Sequence, residues 1–581
     1  MKKIVITGLI LLILNAFAIL NCGSPEGDKL ANRPPSLESI PDITVYAGDT
    51  VTIEPSASDP DGNTVFFSYS GWMNSNTCTT TPEDRGVNTV MVTASDGLLE
   101  NSVDVTVTVL NNPPVITSTA PTSPTRVWCL YNYQVIASDP DAPYDSLACS
   151  LPAPLSGMSI TPTTCLFSWV PDKNQLEQSP IYVTIKVADG KGGEAFQDYQ
   201  VEVFNDTWTI LSPSGVPPEV RGLHSAIYDP PNQRMIIVGG VNGEEGDRTA
   251  TQYGDVWELN LDASPTWSLL TPTPDAASGS PGTIYAAAAA YSPNDETMVI
   301  YGGDWSSTIE YEITCPNGSC NINCNMRNNF SETWGIKLAD DGPGTWVGMP
   351  DTSPNERYGA SIVYDPVNER SFVFGGETHQ SQGNGCRCDG SDNPICSCID
   401  YDAAYYKNVF VIKTDSWEDI SPFFKPATVP SPRAYHSAVY DPVNERMLVF
   451  GGENKDGVID NNVYSLDVSY PDSEYWTTLA PGTHSGTIPG RSGHTAIYDD
   501  ENRRMIIFGG WGSSGEQLND VWALNLFENG LDGMWVKLNP SGGAPSAISG
   551  HSAVYDSSNK RMIIFGGSED GTCKNDVWEL K

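Results

Sequence analysis

The sequence predicts an all-β protein: a six-bladed β-propeller preceded by two β-sandwich domains. Three observations carry that expectation. One unit recurs six times between residues 207 and 581, each copy marked by a pair of adjacent glycines. The last copy ends at Asp576-Val577-Trp578-Glu579-Leu580, one strand short, and a matching strand stands some 370 residues upstream at Trp208-Thr209-Ile210-Leu211. A unit split across both ends of its region implies a ring closed by its own termini. Upstream of the ring, Ala57-Ser58-Asp59-Pro60-Asp61 returns 80 residues later as Ala137-Ser138-Asp139-Pro140-Asp141.

The chain opens with Met1-Lys2-Lys3, then a nearly all-apolar run from Ile4 to Leu20, the pattern of an export signal. It ends Ile19-Leu20-Asn21-Cys22-Gly23, which resembles a bacterial lipobox. That resemblance implies a signal over 1–21, acylation at Cys22 and a polar tether over 22–33. The residue before such a Cys is usually small, and Asn21 departs from this, which keeps ordinary secretion open. The implied location is the outer membrane, cell surface or periplasm of a bacterium, with membrane attachment by the lipid alone.

Two modules follow, over 34–110 and 111–206. Each opens on a Pro-Pro pair and closes on an alternating strand, such as Val103 to Val109, after an Asp-Gly turn. Short alternating strands at this spacing predict antiparallel sandwiches. They resemble the bacterial Ig-like and cadherin-like domains that stand in tandem on surface proteins. The resemblance implies a spacer or stalk, with calcium near Asp59, Asp61, Asp139 and Asp141. Clustered carboxylates suit a hard cation, but Asp-Pro also starts turns without any metal, and both readings stand. No other cofactor is expected.

In the repeated unit, a strand ends in an aromatic residue and usually Asp, as at Tyr228-Asp229. A turn follows, and Asp365-Pro366-Val367-Asn368-Glu369-Arg370 recurs letter for letter at Asp441 to Arg446. An apolar strand then closes on Gly239-Gly240, Gly302-Gly303, Gly375-Gly376, Gly451-Gly452, Gly509-Gly510 or Gly566-Gly567, at a period of 57 to 76 residues. Third and fourth strands carry aromatic residues such as Trp257 and Trp267. Four short strands per period mean propeller blades. This region, 207–581, resembles a Kelch-repeat propeller, with a double glycine, a spaced aromatic and a Trp. Units two and three depart from it: Ala287 and Ala360 replace the His of the other units.

A formal charge of −41 argues against nucleic acid as a partner, because phosphate backbones would be repelled. Of thirteen cysteines, eight fall between second and third strands: Cys315, Cys320, Cys324, Cys386, Cys388, Cys396, Cys398 and Cys573. All eight should share the face that holds the crossings between blades. In an exported chain they are disulfide candidates. Their Cys-x-Cys pairs are closer than the usual zinc spacing. Among Cys78, Cys129, Cys149 and Cys165, a pair within the second module is expected, its partners open.

No nucleophile elbow, zinc-protease helix motif or phosphate-cradling loop appears. His224, His436, His494 and His551 share one repeat position, which argues for a structural role. Arg221, Arg357, Arg433 and Arg491 enter the innermost strand at one repeat position, at the crossing-loop mouth of the ring. They are candidate ligands for a carboxylate; the other reading is that each ties neighbouring blades together through backbone carbonyls. Six-bladed Kelch proteins that act on sialic acid are known, so the resemblance makes a sugar-acid mutarotase the rival enzyme reading.

The expected function is non-catalytic recognition of a protein or glycan. Long insertions at 304–332 and 377–407 depart from the repeat and are not needed by the scaffold, the usual mark of functional loops. Their aromatic residues Trp305, Tyr311, Phe330, Tyr401, Tyr405 and Tyr406 are candidate contacts. A structural envelope role is the third reading.

Overall fold

The computed structural model describes residues 31–243, 250–275, 279–315, 318–329, 333–338, 342–349, 355–379, 385–388, 394–397, 403–413, 416–421, 429–483, 486–526 and 533–581. Within these, 305–329, 379, 385–388, 394–397, 403 and 413 are described by backbone alone. The chain is nearly all β.

In the first module, Glu100–Leu110 is central, pairing antiparallel with Gly86–Ser95 and parallel with Ile43–Tyr46. Its alternation turns Val105, Val107 and Val109 inward, against Val51, Ile53 and Met73. Asn32 and Arg33, assigned to the tether by sequence, are already held here. Arg33 pairs with Asp61 at 2.8 Å and Asn32 donates to Asp96 at 2.6 Å.

The second module packs two three-stranded sheets face to face. One holds Tyr131–Gln134, Leu166–Trp169 and Met158–Ile160; the other holds Ala148–Ser150, Ile181–Ala188 and Glu194–Val201. Tyr133, Phe167 and Trp169 meet Val183, Ile185 and Val187 between them. A Cys149–Cys165 disulfide joins the sheets. Cys78 and Cys129 are free thiols.

Among the described residues of the ring, six sheets follow in order, each built on four antiparallel strands; the fifth and sixth add a short parallel edge strand, Gly482–Thr483 and Ser541–Gly542. The first strand of each neighbours the first strands of the sheets before and after it, and the first sheet neighbours the sixth, so these strands are innermost. The last sheet takes three strands from the C-terminal end and its outer strand, Thr207–Leu211, from the start of the ring. Trp208 lies opposite Leu580, and Leu211 opposite Val577.

The repeated letters act between blades. Tyr440 donates to Asp365 of the preceding blade at 2.9 Å, and that carboxylate also accepts from Asn368 and Arg370. Tyr228 and Asp556 repeat the bond across the closure, at 2.9 Å. The paired glycines allow close approach. Gly302 has φ +67°, and a Cβ there would stand 2.2 Å from the Arg357 carbonyl of the next blade. Gly303 then donates its N–H to that carbonyl at 2.9 Å. Only glycine meets both demands without strain.

Two seams tie the parts together. Arg85 of the first module forks onto Asp145 of the second, and Asn112 donates to the Ala47 carbonyl at 2.8 Å. At the ring, buried Asp206 receives Arg126 from the second module at 2.8 Å and Arg504 from the fifth blade at 3.0 Å.

Candidate functional site

Just before its first strand, each blade gives one residue to a closed loop of backbone hydrogen bonds at the centre of the ring. Leu223 donates to Gly550, Gly550 to Gly493, Gly493 to Tyr435, Tyr435 to Gly359, Gly359 to Ala286, and Ala286 back to Leu223, at 2.7–2.9 Å. All six sit at φ between +52° and +63°. Glycine takes this conformation freely; Leu223, Ala286 and Tyr435 hold it at a cost of about 1–2 kcal/mol each.

Four members of this loop line a cavity of about 400 Å³ on the crossing-loop face, between blades four, five, six and one. Its walls include Glu453, Trp511 and Ser568, which share one repeat position directly after the double glycine. Trp511 is 41% exposed, unusual for so large an apolar side chain. Gln517 is fixed by donating to the Ser549 hydroxyl and the Ser568 carbonyl, both at 2.9 Å. Glu453 is half-buried, and desolvation pushes its carboxyl up from the usual range. At the same repeat position, blades two and three carry Asp304, which accepts the Tyr285 hydroxyl at 2.7 Å, and Glu377. Sequence reasoning missed this set. The available signal was the position after each double glycine, where side chains differ from blade to blade while the glycines do not.

The four arginines lie at one repeat position, but their guanidinium groups are occupied. All are at most 1% exposed. Arg221, Arg357, Arg433 and Arg491 donate to the first-glycine carbonyls of their own blades, Gly239, Gly375, Gly451 and Gly509, at 2.7–3.1 Å. Arg221 also forks onto Asp255, Arg491 onto Asp520, and Arg433 reaches Asp460 at 2.9 Å. The Arg357 guanidinium stacks over Tyr406 at 4.1 Å. This is structural tying rather than an open carboxylate cradle. The ties run mostly within a blade, and the link to the preceding blade passes through the arginine's backbone carbonyl. Tyr406 is thereby part of the scaffold.

The four repeat-position histidines are buried, each with Nε2 against a hydroxyl of the preceding blade: Ser552, Ser361, Ser437 and Thr495, at 2.7–2.8 Å. Burial pushes His224, His436 and His551 down to about 3, and His494 well below its ordinary value.

Both insertions build hairpins on the cavity's face. Asp304–Cys315 pairs with Gly318–Asn329 over twelve residues a strand, a reach of about 40 Å. Blade three carries the shorter pairs Glu377–His379 with Ala403–Tyr405, and Gly385–Cys388 with Pro394–Ser397. The two insertions lie against each other. Cys386 stands opposite Cys396 in register. Trp305, Tyr311, Cys315, Cys320, Cys324, Cys386, Cys388 and Cys396 are placed by backbone only; Cys22, Phe330, Cys398 and Tyr401 lie outside the described residues. The expectation of a disulfide at Cys573 is corrected. It is a free thiol, 5% exposed, packed on the Val241 and Gly243 backbone.

The Asp-Pro-Asp motifs form turns. Asp59 accepts the Asp61 N–H at 2.8 Å, and Asp139 accepts the Asp141 N–H at 2.7 Å. Asp61 pairs with Arg33, and Asp141 accepts from Asn112. Asp139 lies with Asp145 and Asp189, oxygens within 4.8 Å, and one Asp139 oxygen is buried without a partner. Arg85 pairs with Asp145, so a cation at this cluster would compete with that ion pair.

Residues 397–581 match the KLHDC2/KLHL20/DRC7 Kelch-repeats domain. Human multiple epidermal growth factor-like domains protein 8 is 31% identical over 153 residues, covering 26% of this chain and 5% of that protein. An F-box/kelch-repeat protein of Arabidopsis thaliana is 33% identical over 161 residues, covering 27% of this chain and 32% of that one. The chain thus spans at most about a third of the length of these relatives. Among solved structures, that of YjhT aligns with 62% of this chain and 95% of its own, at a TM-score of 0.40 and 16% identity. The last three blades of the propeller thus match Kelch repeats.

Proposed function

We propose that this chain is an exported, lipid-anchored recognition protein whose propeller binds a partner protein, without catalysis, through its crossing-loop face. One observation carries the reading: the cavity at the ring's mouth and both hairpin insertions occupy the same face. Kelch repeats in general mediate protein binding, which is consistent with it. In this reading Cys22 carries the anchor. The two modules, similar to Ig-like and cadherin-like domains, hold the ring away from the membrane. Calcium between them would stiffen the stalk and is not needed by the head.

The sugar-acid mutarotase reading needs free arginines at the mouth, and Arg221, Arg433 and Arg491 are committed to Asp255, Asp460 and Asp520. The test is an array of bacterial surface proteins and glycans probed with the oxidised full chain. Saturable binding to a protein, lost when hairpin 305–329 is replaced by a short turn and reduced by Trp511→Ala, is the expected result. Glycan binding with no protein binding would replace this partner class. Binding that survives both changes would overturn the choice of face.

A further inference from the structure

We propose that the mouth of the ring is a subsite for a basic side chain, a lysine ammonium or arginine guanidinium, presented by the partner protein. This rests on the crossing-loop face being the binding face.

Charge comes first. Glu453 is the one ionisable carboxylate lining the cavity, and no Lys, Arg or His lines it among the described residues. Five carboxylates of the same face are matched by cations: Asp255, Asp460 and Asp520 by the buried arginines, Asp456 by Lys455 at 2.8 Å, and Glu569 by Lys574 at 2.8 Å. Among the described residues, Glu453 has no such cation. A half-buried carboxylate without a counter-ion favours an incoming cation, and burial strengthens the attraction.

Aromatic residues come second. Trp511 and Tyr435 line the same cavity as Glu453. Ring faces beside a carboxylate favour a cation over an anion or a neutral group. On a chain of formal charge −41, an acidic ligand would be repelled from this mouth.

Backbone strain points the same way. Tyr435 and Leu223 line the cavity in the left-handed conformation, at a ring position that is Gly359, Gly493 and Gly550 in three other blades. A large side chain held where glycine serves the fold better is a mark of functional sites. The volume, about 400 Å³, is at the small end of the range for ligand pockets and suits a side chain rather than a folded domain.

The experiment is saturation-transfer NMR on the full chain, with Nα-acetyl-lysine methylamide and Nα-acetyl-arginine methylamide as probes. The norleucine analogue and methyl glucoside serve as uncharged comparisons. We expect saturable transfer to the side-chain methylenes of at least one cationic probe and little to norleucine. Glu453→Gln should weaken that binding about tenfold or more, and Asp456→Asn, just outside the cavity, should leave it intact. No transfer to either cation, or equal binding by native protein and Glu453→Gln, overturns the proposal. Transfer to the glucoside alone overturns it in favour of a neutral sugar. These probes do not require the natural partner, so the cation subsite and the wider choice of face fail or stand separately.

Discussion

Asp206 reaches from the end of the second module into the fifth blade and takes Arg504 at 3.0 Å, with both side chains at most 3% exposed. Arg504 belongs to the set that also contains Arg234, Arg370 and Arg561. Those find their second carboxylate inside the ring, on Glu258, Glu474 and Glu579. In the fifth blade the linker supplies it. Asp206→Ala would leave Arg504 with Asp499 alone and would strand Arg126, which shares the same carboxylate. Breaking a buried pair in this way costs about 3–5 kcal/mol. The expected result is a lower thermal midpoint, together with faster proteolysis between the second module and the ring.

Closure of the ring predicts unequal costs along one short strand. Trp208 is 3% exposed and meets Phe508 edge-on at 5.2 Å, whereas Ile210, two residues on, is 51% exposed. Trp208→Ala should destabilise by about 3–5 kcal/mol, and Ile210→Ala by well under about 1 kcal/mol. Denaturant unfolding followed by tryptophan emission measures both. Similar losses would mean that Thr207–Leu211 is not the sixth blade's packed outer strand.

The closing strand was legible because its partner had to be found: a unit ending at Leu580 without a fourth strand, and a Trp208 strand without a unit. Glycine pairs were legible because close approach between blades tolerates no side chain. The mouth was not, because its lining comes from residues as far apart as Leu223 and Ser568, brought together only by closing the ring. The arginines show the limit most clearly. Their repeat position was visible, but Asp255 and Asp520 lie 34 and 29 residues further on, and sequence does not reveal that they meet.

Those pairings give the arginines a test of their own. Arg433→Ala removes bonds to the Gly451 carbonyl at 2.7 Å and to Asp460 at 2.9 Å, leaving the carbonyl without that donor and the Asp460 charge without its cation, though Tyr464 and Asn462 still donate to it. A loss of about 2–4 kcal/mol in stability is expected. Binding of the cationic probes should persist at temperatures where the variant is folded. A stable variant that loses a carboxylate ligand would restore the arginines as a binding site.

Glycine pairs should be intolerant where they face the next blade and forgiving elsewhere. A Cβ on Gly302 would meet the Arg357 carbonyl at 2.2 Å; one on Gly97, also at positive φ, would meet nothing within 4 Å. Gly97→Ala should cost only the backbone strain, about 1–2 kcal/mol. Gly302→Ala adds a clash with immovable backbone and should cost more than about 3 kcal/mol, or prevent the ring from closing. Thermal denaturation of the two variants side by side checks the difference.

The buried histidines set a pH dependence with a definite sign. His224, His436 and His551 are pushed down to about 3 by burial, and His494 falls with them. In the unfolded chain each returns to about 6.5. Above that value neither state binds the protons, and the histidines do not oppose folding. As pH falls below about 6.5, the unfolded state takes up protons that the native state refuses, so stability declines until the native groups titrate near 3. Asp255, Asp499 and Asp520, held below the usual carboxylate range by their arginines, add their own loss only at lower pH. Between about pH 5 and 7 the slope therefore belongs mainly to the histidines, with up to about four protons taken up on unfolding. His551→Gln should remove about a quarter of that slope while lowering stability at pH 7, because its Nε2 bond to Thr495 at 2.7 Å is disturbed. A native protein whose stability is flat from pH 7 to 5 would show that the ring opens these histidines to water.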